Sequence, residues 1–325
     1  NRFEAEFTAA GCEVVPLGAA CDIALFHTCV VTASAEKECM RLIRSQRKKT
    51  PGALLAVSGC ATALISSESL RAAGADLIVP QAQKDEAVTL ILRHAGAAVK
   101  VAPQATAAPS DGVSRALLKV QDGCDFFCSY CIVPHTRGRP RSLPPEDCLE
   151  KARALIDAGF QEIVVTGCNL ACYRHSGLEL PDLLSALATL PGLGRLRIGS
   201  VEPGTVELEL ARLMARTDNI CHFLHLPIQS ADDTVLGRMG RRYTSGAMAQ
   251  AISEIIRLLP DVGLGTDIIT GFPGETGEAF RKTRDFLNAF PFNNLHVFPF
   301  SERPGTPAAK FDGSVAVAER RERAR

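Results

Sequence analysis

Three cysteines, Cys124, Cys128 and Cys131, fall within the nine residues GCDFFCSYC. Thiolates at this spacing suit zinc or an iron–sulfur centre. A structural zinc normally takes four protein ligands, and His135, four residues past Cys131, is a candidate for the fourth. Without it, three ligands leave one coordination position open, and that position invites a substrate or cofactor. Two more cysteines, Cys29 in FHTCVVT and Cys60 in VSGCAT, each follow an apolar run. In open α/β sheets, ligands gather at the carboxyl ends of strands, so these two thiols are placed to share a site or to be plain loop cysteines. Cys12, Cys21, Cys39, Cys148 and Cys221 read as small apolar residues, and Cys168 and Cys172 in VTGCNLACY as local variation.

Such groups need a scaffold, and 325 residues with 46% apolar and 22% charged composition are enough for two domains. Lys and Arg total 36 and Asp and Glu total 36, so no global field marks a nucleic-acid binder. Any such surface must be local, and the loops TRGRPR and GRMGRR are the basic stretches that would suit RNA phosphates. No apolar run approaches the roughly 18–20 residues of a spanning helix, and nothing points to a membrane or to DNA as a partner. Twelve cysteines without a secretory leader fit a cytoplasmic protein better than a disulfide framework.

Apolar runs and helical stretches alternate along the chain. In the first part CEVVPL, CDIALFHTC, ALLAVSGC and DLIVPQ read as strands, with helices near 33–49 and at EAVTLILRHA. This predicts a small open parallel α/β domain over 1–95. Residues 96–114, rich in Ala, Pro and Ser, read as a linker. Residues 115–325 contain six strands, ALLKVQDG, EIVVTG, RLRIGS, HFLHLP, VGLGTDIITG and NNLHVFPF, each followed by helical sequence. Six βα units predict a partial (βα)6 barrel, open on one side, with its polar residues at the strands' C-terminal ends. TGFPGE lacks the Lys-Ser/Thr of a phosphate loop, which excludes nucleotide hydrolysis on that motif.

The C-x3-C-x2-C spacing, with Tyr130 before the last cysteine, resembles the radical S-adenosylmethionine (radical SAM) superfamily. CSYCIVPHTRGRPRS, RIGSVEP, HLPIQSADD, RMGRRYT and GTDIITGFPGET resemble, in the same order, the motifs of its methylthiotransferase family. The resemblance implies that Cys124, Cys128 and Cys131 hold a [4Fe–4S] cluster whose open iron chelates SAM. It implies a second, sulfur-donating [4Fe–4S] cluster on Cys29 and Cys60, with a third ligand three residues before Asn1. It also implies a C-terminal β-rich RNA-binding domain of the TRAM type beyond this chain, which therefore reads as a fragment. Tyr130, Asn169, Ser200, Glu202, Gln229 and Arg241 are the implied SAM or substrate contacts, Arg241 through the SAM carboxylate.

Within the family, TGCNLACY most resembles the enzymes that modify threonylcarbamoyladenosine next to the tRNA anticodon, with Asn169 and Tyr173 near the opening. The implied reaction uses two SAM molecules, one to methylate sulfur and one to generate the radical that removes hydrogen from adenine C2. A flavodoxin or ferredoxin is the implied electron donor. The alternatives are an isopentenyladenosine or ribosomal-protein substrate within the family, or a non-catalytic zinc-binding scaffold.

Overall fold

A computed structural model describes residues 2–29, 32–96 and 114–325. Most of the expected linker, 97–113, lies outside them. The chain divides into two compact units, Asn1–Ala107 with His135–Gly138, and Ala108–Pro134 with Arg139–Arg325.

The first unit is built on a parallel sheet of β1 (Ile23–Thr28), β2 (Leu54–Gly59) and β3 (Leu77–Ile78), in that order. The register runs from Ile23 opposite Leu54 to Thr28 opposite Gly59. Leu55, Ala56 and Val57 of the central strand are fully buried, which is why this strand reads as a continuous apolar run. The crossover helix Ala33–Lys49 begins at Thr32, whose hydroxyl caps the amide of Ala35, and ends in Arg47, Lys48 and Lys49. Cap and terminal charges both suit the helix dipole.

The strand expected at CEVVPL does not form. Pro16 has no amide for a ladder, and Gly11 and Gly18 turn the chain with φ of +85° and +93°. Val14, Val15 and Leu17 stay exposed, and the segment instead lines a cavity of about 750 Å³ with Phe3 and Phe7.

The second unit contains β4 (Arg115–Lys119), β5 (Glu162–Thr166), β6 (Arg195–Ile198), β7 (Phe223–His225), β8 (Gly263–Thr270) and β9 (Phe292–Pro299). β4, β5 and β6 pair in parallel, as do β7, β8 and β9. A parallel bridge from Leu196 to Ile220 joins the two sets, so spatial order follows chain order. β4 and β9 do not pair with each other among the described residues, and the arc stays open on that side.

Helices Pro145–Asp157, Leu180–Ala188, Glu207–Met214, Ser245–Leu258 and Gly277–Ala289 follow successive strands, with the extra helix Asp233–Met239 after β7. Ile163, Val165, Leu196, Leu224, Leu264 and Ile268 of the strands share one core with Leu184, Leu187, Leu210, Met248 and Ile252 of the helices. Fully burying a side chain of this size stabilises by about 1.5–3 kcal/mol. That continuous layer holds the six strand ends in place, and the loops that leave them carry the polar residues.

Candidate active site

The cysteine loop leaves β4 through Gln121–Asp122, which pair antiparallel with Arg141–Ser142 and so close the loop at its base. Gln121 is buried and joins two loops. Its Nε2 donates to the Gly123 carbonyl (2.8 Å), and its Oε1 accepts from the amide of Asn169 (2.9 Å) in the loop after β5. Gly167 permits this, because a Cβ there would lie 3.0 Å from the Gln121 side chain. Farther along, Ser129 anchors the loop to the end of helix Asp233–Met239. Its amide donates to the Met239 carbonyl (2.9 Å) and its hydroxyl to the Arg238 carbonyl (2.8 Å). Phe127 takes a left-handed φ of +50°, an uncommon cost for an aromatic residue in this turn.

The three cysteines are free thiols with different surroundings. Cys124 Sγ accepts from Asn169 Nδ2 (3.6 Å) and is hydrogen-bonded with the Cys172 thiol. The bond with Cys172 is the main reason the Cys124 thiol is pulled down to about 6, while the same shared proton pushes Cys172 upward. Burial raises Cys128, although Arg241 Nη1 donates to its sulfur (3.5 Å) and opposes the rise. Burial also pushes Cys131 up to about 11. Three free thiols gathered in one loop are a donor set suited to an iron–sulfur cluster.

Arg241 is the hub of the surrounding contacts. Its guanidinium meets Glu202 Oε1 (2.6 Å), the Pro227 carbonyl (2.8 Å), Tyr243 Oη (3.0 Å) and Tyr130 Oη (3.4 Å). Burial pushes the Glu202 carboxyl up to about 7 despite that cation. Tyr130 packs edge-on against Phe272. Gln229, with φ of +64°, bridges to β8: its amide donates to the Asp267 carbonyl (2.8 Å) and its carbonyl accepts from Ile269 (3.0 Å). Ser200 lies exposed after β6.

Loops at the C-terminal ends of β4, β5, β6 and β7 thus bring Cys128, Asn169, Glu202 and Arg241 into one connected set. Three sequence expectations change. Tyr173 is not near an opening; it is 1% exposed and its hydroxyl donates to the Leu143 carbonyl (2.9 Å), because its ring completes the core. Cys168 and Cys172 are not mere local variation, since their thiols contact Asp122 (3.1 Å) and Asp125 (3.7 Å) of the cysteine loop. In the basic stretch GRMGRR two of the three arginines are engaged within the protein, while Arg242 stays exposed. Arg241 is buried, Arg238 is held by Asp312 and the Pro273 carbonyl, and Arg242 stacks 4.1 Å over Phe126. Gln121 escaped sequence reasoning, because a lone Gln carries no spacing signal.

In the first unit, Cys29 and Cys60 each follow the last paired residue of adjacent strands, Thr28 of β1 and Gly59 of β2. The Cys60 amide donates to the Thr28 carbonyl (3.0 Å), and Cys29 is exposed. Gly59, with φ of +91°, has no space for a side chain, since a Cβ would overlap the Thr28 backbone.

An open arc of six parallel βα units with a three-cysteine loop after its first strand defines a radical SAM enzyme. Residues 118–287 match the radical SAM superfamily, and residues 1–80 match an uncharacterized protein family designated UPF0004. A relative from Bacillus subtilis (strain 168), named threonylcarbamoyladenosine tRNA methylthiotransferase MtaB, is 34% identical over 99% of this chain and 76% of its own length. A relative from Desulfosudis oleivorans, named tRNA-2-methylthio-N(6)-dimethylallyladenosine synthase, is 31% identical over 99% of this chain and 73% of its own. The chain belongs to the radical SAM methylthiotransferases, enzymes that work with SAM and [4Fe–4S] clusters. The fold also resembles the radical SAM methyltransferase TsrM of Kitasatospora setae, with a TM-score of 0.67 at 16% identity over 88% of this chain and 63% of that one. No described helix is long and apolar enough to cross a membrane.

Proposed function

We propose that this enzyme converts N6-threonylcarbamoyladenosine beside the tRNA anticodon to its 2-methylthio derivative. The observation that carries the reading is the pairing of two thiol sites. One is the loop Cys124, Cys128 and Cys131 at the mouth of the arc, and the other is Cys29 and Cys60 at adjacent strand ends. A methylthio transfer to a ring carbon needs a radical source and a sulfur source, and two such sites supply a place for each.

On this reading Cys124, Cys128 and Cys131 hold one [4Fe–4S] cluster, and Cys29 and Cys60 contribute two ligands to a second. With both clusters in place, the first would supply an electron to SAM and the second the sulfur for transfer. Asn169 and Arg241 donate to the Cys124 and Cys128 sulfurs, which stabilises them as thiolates. The Glu202–Arg241 pair and the Tyr130 ring shut water out behind the loop. Glu202, whose carboxyl burial pushes up to about 7, is the acceptor suited to meet a hydroxyl or ammonium of SAM. Gln229 and Ser200 are the polar residues assigned on this reading to SAM or the substrate. A low-potential flavodoxin or ferredoxin is the fitting electron donor, and the cytoplasm the fitting compartment.

The threonylcarbamoyl reading draws on the TGCNLACY loop and on relatives bearing that name. A polar site discriminates strongly against an apolar analogue that leaves its groups unpaired. Full-length enzyme should be offered tRNA bearing each modified adenosine, with nucleosides read by mass spectrometry. Methylthiolation of the threonylcarbamoyl tRNA is expected. Modification of the isopentenyl tRNA alone would overturn the subclass, and modification of a ribosomal protein instead would overturn the RNA substrate.

A further inference from the structure

A second group of ligating side chains lies on three neighbouring strands. His225 ends β7, Asp267 lies in β8 and His296 in β9; Asp267 is paired with His296, and His225 with Gly265. Leu264 and Ile268 of β8 enter the core beneath the helices, so the pleat turns Asp267 to the opposite, inner face of the arc. Asp267 Oδ1 stands 2.9 Å from His225 Nε2 and 3.0 Å from His296 Nδ1. Its Oδ2 meets no hydrogen-bond donor among the described residues. Gly265 makes the arrangement possible, since a Cβ there would lie 2.5 Å from His225 Nδ1.

We propose that His225, Asp267 and His296 form a binding site for one divalent first-row transition ion. Two imidazoles and a carboxylate on one face are a recognised donor set for such ions and leave coordination positions open. Ligands at right angles about an ion, with bonds of about 2.1 Å, stand about 3 Å apart. Both His–Asp separations have that value, and all three donor atoms lie within 4.8 Å of one another. The buried His225 and the half-buried Asp267 provide a fixed edge. His296, with 52% of its side chain exposed, has room to turn and close the third position. The site does not depend on which nucleoside the enzyme modifies.

Mn(II) is the appropriate probe, because it favours imidazole and carboxylate over thiolate in a chain with twelve cysteines. Full-length, cluster-loaded enzyme should be titrated with Mn(II) and the free ion counted by its solution EPR signal. About one ion per chain should leave the free pool. Asp267→Asn keeps an oxygen that accepts from both rings but loses the charge. It should bind at least about tenfold more weakly, with the iron–sulfur absorption unchanged. His296→Ala, at an exposed position, should weaken binding similarly and keeps the test open if Asp267→Asn does not fold. Equal binding by all three proteins would mean surface carboxylates alone take up the ion. No binding of Mn(II) by the unmodified enzyme, and none of the more strongly held Ni(II) that depends on these three side chains, would mean that they form only a hydrogen-bonded network. Either result overturns the site.

Discussion

Arg241 Nη2 lies 2.6 Å from Glu202 Oε1, and the two side chains keep only 2% and 12% of their surface exposed. The same guanidinium donates to the Cys128 sulfur and to the Pro227 carbonyl, so one cation ties the loops after β4, β6 and β7. Arg241→Ala would leave the Glu202 carboxylate buried beside an apolar gap. Removal of one partner of such a pair costs about 3–5 kcal/mol. Urea unfolding at neutral pH should show a loss of that size, and Glu202→Gln should be costly as well, because the buried Arg241 guanidinium keeps its charge without a counterion. A lysine cannot reproduce the fork, so Arg241→Lys should recover only part of the loss.

Replacing Cys124, Cys128 and Cys131 together by Ala should remove about four irons per chain from anaerobically reconstituted enzyme. Cleavage of SAM to deoxyadenosine should stop. Iron analysis and product chromatography check both outcomes, and deoxyadenosine formation by the triple variant would exclude this loop as the radical site.

Gly59→Ala should destabilise the first unit, since its left-handed backbone and the adjacent Thr28 backbone leave no room for a Cβ. A backbone strained in this way costs on the order of 1–3 kcal/mol. Because Gly59 directly precedes Cys60, the variant should also retain less iron than the parent, while SAM cleavage persists. Iron retention equal to the parent would separate this turn from any cluster.

Asp232 caps helix Asp233–Met239 through the Val235 amide (3.1 Å) and pairs with Lys282 (3.1 Å). Burial opposes its charge, but the helix amides and the ammonium outweigh it and hold the carboxyl below its usual value. A depressed folded pKa means that the stabilisation is present above the unfolded value of 3.8 and is lost as pH falls below it. Asp232→Ala should cost about 1 kcal/mol near neutral pH. The difference from the parent should shrink under acid, as monitored by circular dichroism.

Arg139 and Arg141 lie exposed beside the cysteine loop, unlike Arg241. Their replacement by Ala should weaken tRNA binding and make the slope of log K against log salt shallower, by about 0.7–0.9 for each phosphate no longer neutralised. Unchanged affinity across a salt series would place the RNA surface elsewhere.

The spacing of Cys124, Cys128 and Cys131 and the six strand-to-helix alternations are local properties, and local chemistry sufficed to read them. Helix Ala33–Lys49 is legible for the same reason, since its cap and terminal charges lie within a few residues of its ends. CEVVPL misleads because apolar content alone does not make a strand where Pro16 interrupts the ladder. Tyr173 and Arg241 were legible as residue types but not as roles. A phenol can line a core or an opening, and a guanidinium can face phosphate or carboxylate, depending on what the fold brings against it. Arg241 meets Cys128 across 113 residues of chain, and His296 meets Asp267 only through the parallel register of β8 and β9. Such pairings arise when strands from distant segments are held side by side by a shared apolar core. Short-range pattern therefore decided the elements and the cysteine loop, and long-range packing decided which polar groups stand against one another.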